Sequence, residues 1–182
     1  MDAVETHDLH KDYAGFHALN GVDLRLGSGL VHALVGPNGA GKTSLFNLLT
    51  GFQRPTSGRI VLLGHDTTGL RPHQIARRGV ARSFQITSLF EQLTALEHAA
   101  LALQSRTTLG YRFWRDDATL HRFDARAREL LAEVGLADSA ARPVRQLPYG
   151  QKRALELALA LAIEPELLLL DEPTAGMGVE VV

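Results

Sequence analysis

Apolar positions in this chain recur first at the short period of strands and later at the longer period of helices. In the first part, residues 4–9, 22–26 and 59–63 read as strands. The last follows the turn Pro55-Thr56-Ser57-Gly58, and together they predict a small antiparallel sheet. Residues 30–35 predict another short apolar strand, and 44–49 a helix closed by Thr50-Gly51. A short helix is predicted at 72–78, with Pro72 in its first turn and Gly79 past its end; Val80-Ala81-Arg82-Ser83 then returns to a sheet. From Leu93 onward helical spacing takes over. Thr94-Ala95-Leu96-Glu97 is a capping box opening a helix at 95–103. After a polar and aromatic loop, Leu120, Phe123, Ala127, Leu130, Leu131 and Val134 fall on one helical face, with Gly135 as the stop and Arg122, Arg126, Arg128 and Glu129 on the solvated side. A helix at 154–163 and a continuous apolar strand at 167–170 complete the pattern.

The predicted strand at 30–35 and helix at 44–49 flank Gly36-Pro37-Asn38-Gly39-Ala40-Gly41-Lys42-Thr43, which fits G-x-x-x-x-G-K-S/T. Strand, glycine loop and helix are the context a phosphate-binding loop requires. The glycines let successive backbone N–H groups turn toward phosphate oxygens, and the helix N-terminus adds its positive dipole end to the same anion. Gly36, Pro37, Asn38, Gly39, Ala40, Gly41, Lys42, Thr43 and Ser44 are therefore the expected nucleotide-binding residues. Lys42 supplies charge for the β- and γ-phosphates, and the Thr43 hydroxyl is a ligand for Mg²⁺. The expected ligands are a nucleoside triphosphate and Mg²⁺.

Leu167-Leu168-Leu169-Leu170-Asp171-Glu172 is the second motif, an apolar strand delivering two carboxylates to a sheet edge. Alone it is also an ordinary strand end. Beside a P-loop it reads as a Walker B, with Asp171 holding Mg²⁺ through water and Glu172 orienting or deprotonating the attacking water.

Composition narrows the class. The chain has 182 residues, enough for one domain with a small insertion, and a formal net charge of −1 that gives nucleic-acid binding no electrostatic support. The absence of cysteine excludes disulfides, thiolate catalysis and cysteine zinc sites. The first residues carry neither region of a signal peptide, and charges interrupt the apolar stretches well short of the ~20 residues a membrane helix needs. Direct membrane insertion is not expected. His7 and His10, on a predicted strand, are expected on opposite faces and at the surface.

Leu147-Pro148-Tyr149-Gly150-Gln151-Lys152-Arg153, just ahead of the helix at 154–163, is the third motif. With it the chain resembles the ATP-binding subunits of ABC transporters, whose LSGGQ signature it varies by Pro148 and Tyr149. The resemblance implies an α/β fold: a P-loop NTPase core with an N-terminal antiparallel β-subdomain and an inserted α-helical subdomain at 87–146 within one domain, 1–182. It implies that Gln85 meets Mg²⁺ and the attacking water, that Glu172 and Gln85 are catalytic, and that Gly150 and Gln151 touch nucleotide. Tyr13 falls where an aromatic stacks on adenine, with Phe16 the alternative. Ser83-Phe84-Gln85, 89–94, Leu147-Pro148-Tyr149-Gly150-Gln151 and Ala175-Gly176-Met177 most resemble branched-chain amino-acid importers of the LivG type; urea and amide importers share much of the pattern.

The same resemblance implies partners. Two ATP-binding subunits, identical or related, would sandwich two ATP molecules, and integral membrane permease subunits would dock on the helical block. That places the protein in the cytoplasm, peripheral at the inner face of the membrane. The family's serine hydroxyl is absent at Pro148, a loss of roughly 1.5–3 kcal/mol if that charge-assisted hydrogen bond matters. The sequence also stops ten residues after Glu172, before the family's switch histidine. The expectation is a truncated chain lacking the C-terminal part of the core, with weak or absent turnover. The competing readings are a nucleotide-binding fragment without turnover, a soluble non-transport ABC ATPase, and a small-molecule P-loop kinase.

Overall fold

The computed structural model describes residues 1–82, 89–105 and 123–171, and elements are numbered along those residues. They run β1 (Asp2–Tyr13), β2 (Phe16–Gly27), α1 (Lys42–Leu49), β3 (Ser57–Leu62), β4 (His65–Asp66), α2 (Pro72–Ala76), β5 (Val80–Arg82), α3 (Ala95–Ser105), α4 (Asp124–Glu133), α5 (Tyr149–Ala162) and β6 (Leu167–Leu169). They fall into two compact units, residues 1–80 and 81–182.

In the first unit β2, β1, β3 and β4 form an antiparallel sheet in that order. β1 and β2 make a hairpin whose last pair is Tyr13 opposite Phe16. Ala14 (φ 45°) and Gly15 (φ 96°) form its two-residue turn, and positive φ at both matches the twist of the strands. β1 is continuous but bulged. Its register shifts between Thr6 and Leu9 against β2 and between His7 and His10 against β3, with Asp8 at φ 45°. Thr6 and Leu9 are both buried, so the extra residue returns the chain to the same face. His7 and His10 therefore share the other face, which corrects the expectation of opposite faces. His7 lies beside Glu5, and His10 Nε2 is 2.9 Å from Asp8 Oδ1.

The expected strand at 30–35 is not a strand. Leu30 is 70% exposed and Val31 fully so, and among the described residues no strand pairs with the segment. A short apolar stretch is a local signal, whereas a strand needs a neighbouring ladder to satisfy its N–H and C=O groups.

In the second unit α3, α4 and α5 pack around Ala99, Leu130, Leu131, Leu136, Val144, Leu155 and Ala158. Fully buried alanines on α3 let the helices approach closely, and each buried leucine contributes about 1.5–3 kcal/mol. The capping box forms as expected: Thr94 N–H donates to Glu97 Oε2 (2.7 Å) and Glu97 N–H to Thr94 Oγ1 (3.2 Å). Val134 and Gly135 (φ 74°) end α4. Leu120 and Arg122 lie outside the described residues, while Arg126 is solvent-facing and pairs with Glu129 and Glu133.

α5 starts at Tyr149, ahead of the predicted 154. Pro148 fixes the N-cap at φ −56°, and the Lys152 N–H closes the first turn on its carbonyl at 3.0 Å. The signature residues Tyr149, Gly150 and Gln151 are thus themselves helical. β5 pairs with β6 in a two-stranded sheet. β6 is less buried than a continuous apolar run predicts: Leu167 and Leu168 are half-buried and Leu170 is 36% exposed.

Candidate functional site

The glycine loop runs directly into α1. Gly39 (φ 85°) and Gly41 (φ 82°) take left-handed conformations, and Gly41 is the N-cap of the helix. A Cβ at Gly41 would stand 2.5 Å from the Ala18 carbonyl oxygen and 2.8 Å from Leu19 Cδ2, so β2 presses against the loop where only glycine fits. No side chain caps the first turn of α1, and its first intrahelical bond is Leu45 N–H to the Gly41 carbonyl at 2.9 Å. The backbone donors ahead of it form an anion-binding end.

Lys42 Nζ folds back over the loop, donating to the Gly36 (2.6 Å) and Pro37 (2.8 Å) carbonyls. The ammonium is held where those carbonyls converge. Thr43 is exposed on the same turn. These features fit a triphosphate: turned backbone donors, an uncapped helix end and a lysine tethered to the loop.

Tyr13 lies at the hairpin tip of the same unit, 38% exposed. Its hydroxyl donates to Gln53 Oε1, and Lys11 Nζ sits 5.0 Å from its ring centroid. One face is thus engaged by a cation. Phe16, its cross-strand neighbour, is 64% exposed. It lies two residues from Ala18, the residue whose carbonyl touches Gly41.

The remaining expected residues belong to the second unit. Pro148 caps α5 with no side-chain bond to the helix, where the family's serine would offer a hydroxyl. Gly150 faces open space, and Gln151 Oε1 accepts from Ser139 Oγ at 3.3 Å. Tyr149 is half exposed, with the Arg153 guanidinium 5.9 Å from its ring. Arg153 donates to Glu156 Oε2 at 2.8 Å, and that hydrogen bond holds the guanidinium pKa above its ordinary value. Asp171 follows β6 and is 8% exposed. Arg82 Nη2, at the end of β5, donates to its Oδ2 at 2.8 Å, a charge-assisted bond between two buried side chains. Gln85 and Glu172 lie outside the described residues.

Two residues that touch this set escaped sequence reading. Ser139 carries no local signal. Arg82 carries a faint one, a cation closing the apolar strand Val80-Ala81-Arg82, where a buried charge needs a counter-ion.

The family model described as ABC transporter matches residues 19–175. The chain belongs to this family. It is 40% identical to the high-affinity branched-chain amino acid transport ATP-binding protein BraF of Pseudomonas aeruginosa, over 96% of this chain and 71% of that protein. It is 39% identical to the protein of the same description, LivG, of Escherichia coli strain K12, with the same coverage. Among solved structures it is similar to the ADP conformation of an ATP-binding cassette of an ABC transporter, with TM-score 0.80, 28% identity, and coverage of 98% of this chain and 71% of that one. The fold is therefore that of an ABC ATPase cassette, and the chain falls in a class of nucleotide-binding ATP hydrolases.

Proposed function

We propose that this chain is the ATP-binding, energy-coupling subunit of an ABC importer for branched-chain amino acids. The carrying observation is the 40% and 39% identity to BraF and LivG, each over 96% of the chain. The fold alone serves importers, exporters and soluble ATPases alike, so the solute rests on that kinship.

In this reading residues 1–182 are part of one nucleotide-binding domain, with 87–146 its helical insertion. The backbone of 36–44 and Lys42 take the phosphates, Tyr13 or Phe16 the adenine, and Gly150 and Gln151 the γ-phosphate of a nucleotide held by a second ATP-binding subunit. Thr43 binds Mg²⁺ directly, Asp171 holds it through water, and Gln85 meets both Mg²⁺ and the attacking water. Glu172 holds the attacking water. The bound MgATP supplies a phosphoanhydride whose γ-phosphoryl charge is already partly neutralised; the chain supplies position and fixed dipoles. The partners are two membrane permease subunits. Among the described residues no helix is long and apolar enough to cross a membrane, so attachment at the inner face runs through the permease.

The test is a Lys42→Ala allele in the cell of origin. Leucine uptake is expected to fall at least tenfold while uptake of an unrelated solute is unchanged. The purified variant is expected to lose ATP binding, read with a fluorescent nucleotide. ATP binding lost with leucine uptake intact overturns the solute assignment, and ATP binding intact overturns the site.

A further inference from the structure

The buried pair Arg82–Asp171 is unused by the reading above, which needs Asp171 only for its carboxylate. We propose that Arg82 is a positioning residue for the divalent cation: it holds the Asp171 carboxylate in place and so sets cation affinity without touching nucleotide. The inference rests on Asp171 serving the cation of a bound nucleotide.

The geometry carries it. Arg82 and Asp171 are 89 residues apart in sequence, and pairing of β5 with β6 brings the ends of those strands together. Both side chains are 9% exposed, and the Nη2–Oδ2 distance is 2.8 Å. Asp171 lies two residues past the end of β6, and Arg82 is the last residue of β5. An aspartate side chain otherwise turns among staggered χ1 wells and through a broad, roughly two-fold χ2, and a fixed partner narrows that range. The Nη2–Oδ2 bond holds one carboxylate oxygen in place, and a lysine ammonium, a point charge on a flexible stem, would hold it less firmly than the planar guanidinium. A ligand already in position spends no ordering entropy when the cation arrives, which is the general source of affinity from preorganisation. The pair also anchors the chain three residues before Gln85 and one residue before Glu172, the expected catalytic positions.

A purely structural role would give the same burial and distance, so the test separates the two. The full chain and its Arg82→Met and Arg82→Lys variants are titrated with a fluorescent ATP analogue, first in EDTA and then with increasing Mn²⁺. Free Mn²⁺ is followed by electron paramagnetic resonance at saturating nucleotide. Nucleotide affinity in EDTA is expected to be unchanged, within twofold, in both variants. The Mn²⁺ concentration at half-saturation is expected to rise at least fivefold in Arg82→Met and by an intermediate factor in Arg82→Lys. An unchanged half-saturation overturns the proposal, even if the melting temperature falls, because that is the signature of a structural pair. Should Arg82→Met fail to fold, Arg82→Lys decides alone: half-saturation equal to wild type overturns the proposal and a rise of twofold or more upholds it. Failure of the wild-type chain to bind nucleotide in EDTA sinks the underlying site reading and this inference with it, whereas wild-type binding with no variant effect sinks only the inference.

Discussion

At the scale of single residues the loop is stringent at one glycine and tolerant at another. Gly39 and Gly41 both hold positive φ, but a Cβ at Gly39 meets nothing within 4 Å, whereas one at Gly41 collides with Ala18 and Leu19. The left-handed conformation costs an alanine roughly 1–2 kcal/mol at either position. Gly41→Ala adds a collision with backbone that cannot move without shifting β2. Gly41→Ala is therefore expected to lower the melting temperature more than Gly39→Ala and to weaken ATP binding at least tenfold, measured by thermal unfolding and nucleotide titration. Equal melting temperatures would contradict the close packing of β2 on the loop. The glycine pattern itself was legible because its chemistry lies within eight consecutive residues, and the φ values follow from it. The Arg82–Asp171 pair was not, since nothing in either local sequence names a partner 89 residues away.

At the scale of elements, those with local signals were read well. Thr94 and Glu97 predict their helix start, and the reciprocal bonds are present. The segment at 30–35 was misread, because a strand is defined by its neighbours. His98 was invisible for the same reason: it is buried, accepts a hydrogen bond from the Phe90 N–H at 2.9 Å and sits 3.0 Å from the Thr94 carbonyl, tying the segment at 89–94 to α3. The capping box also gives a pH dependence. The Thr94 backbone N–H, then its hydroxyl, hold the Glu97 pKa below its ordinary value. A depressed carboxyl pKa means the charged form favours folding above the unfolded pKa, and that contribution is lost as pH falls through the folded value. Glu97→Gln keeps an acceptor but no charge, so it is expected to cost about 0.3–1 kcal/mol near neutral pH. The gap to wild type should close as pH falls below about 4, near the ordinary glutamate pKa. Urea unfolding at pH 7 and at pH 3 reads this, and a gap that persists at pH 3 would assign the effect to shape instead of charge.

At the scale of the whole molecule, one chain carries two helix starts suited to phosphate. α1 opens at Gly41 and α5 at Pro148, neither with a side-chain cap. Within a monomer the proposed site uses the first. In the proposed reciprocal dimer the second would meet the nucleotide of another subunit, each P-loop facing the other subunit's signature. Pro148 bears on how firmly that dimer closes, because the missing hydroxyl leaves only backbone donors and the helix dipole to meet the γ-phosphate. In that proposed dimer, closure is expected to depend on nucleotide remaining intact. Glu172→Gln, by removing the carboxylate proposed to hold the attacking water, is expected to trap the closed form. With ATP and Mg²⁺ the variant should sediment as a dimer, and with ADP, or with Gly150→Asp added, as a monomer. Gly150→Asp places a negative charge in the first turn of α5, where a Cβ meets open space, so it repels phosphate without straining the fold. A monomer under every condition would remove the dimer from the proposal while leaving nucleotide binding at Lys42 untouched. A dimer that survives Gly150→Asp would place its contact away from the signature helix.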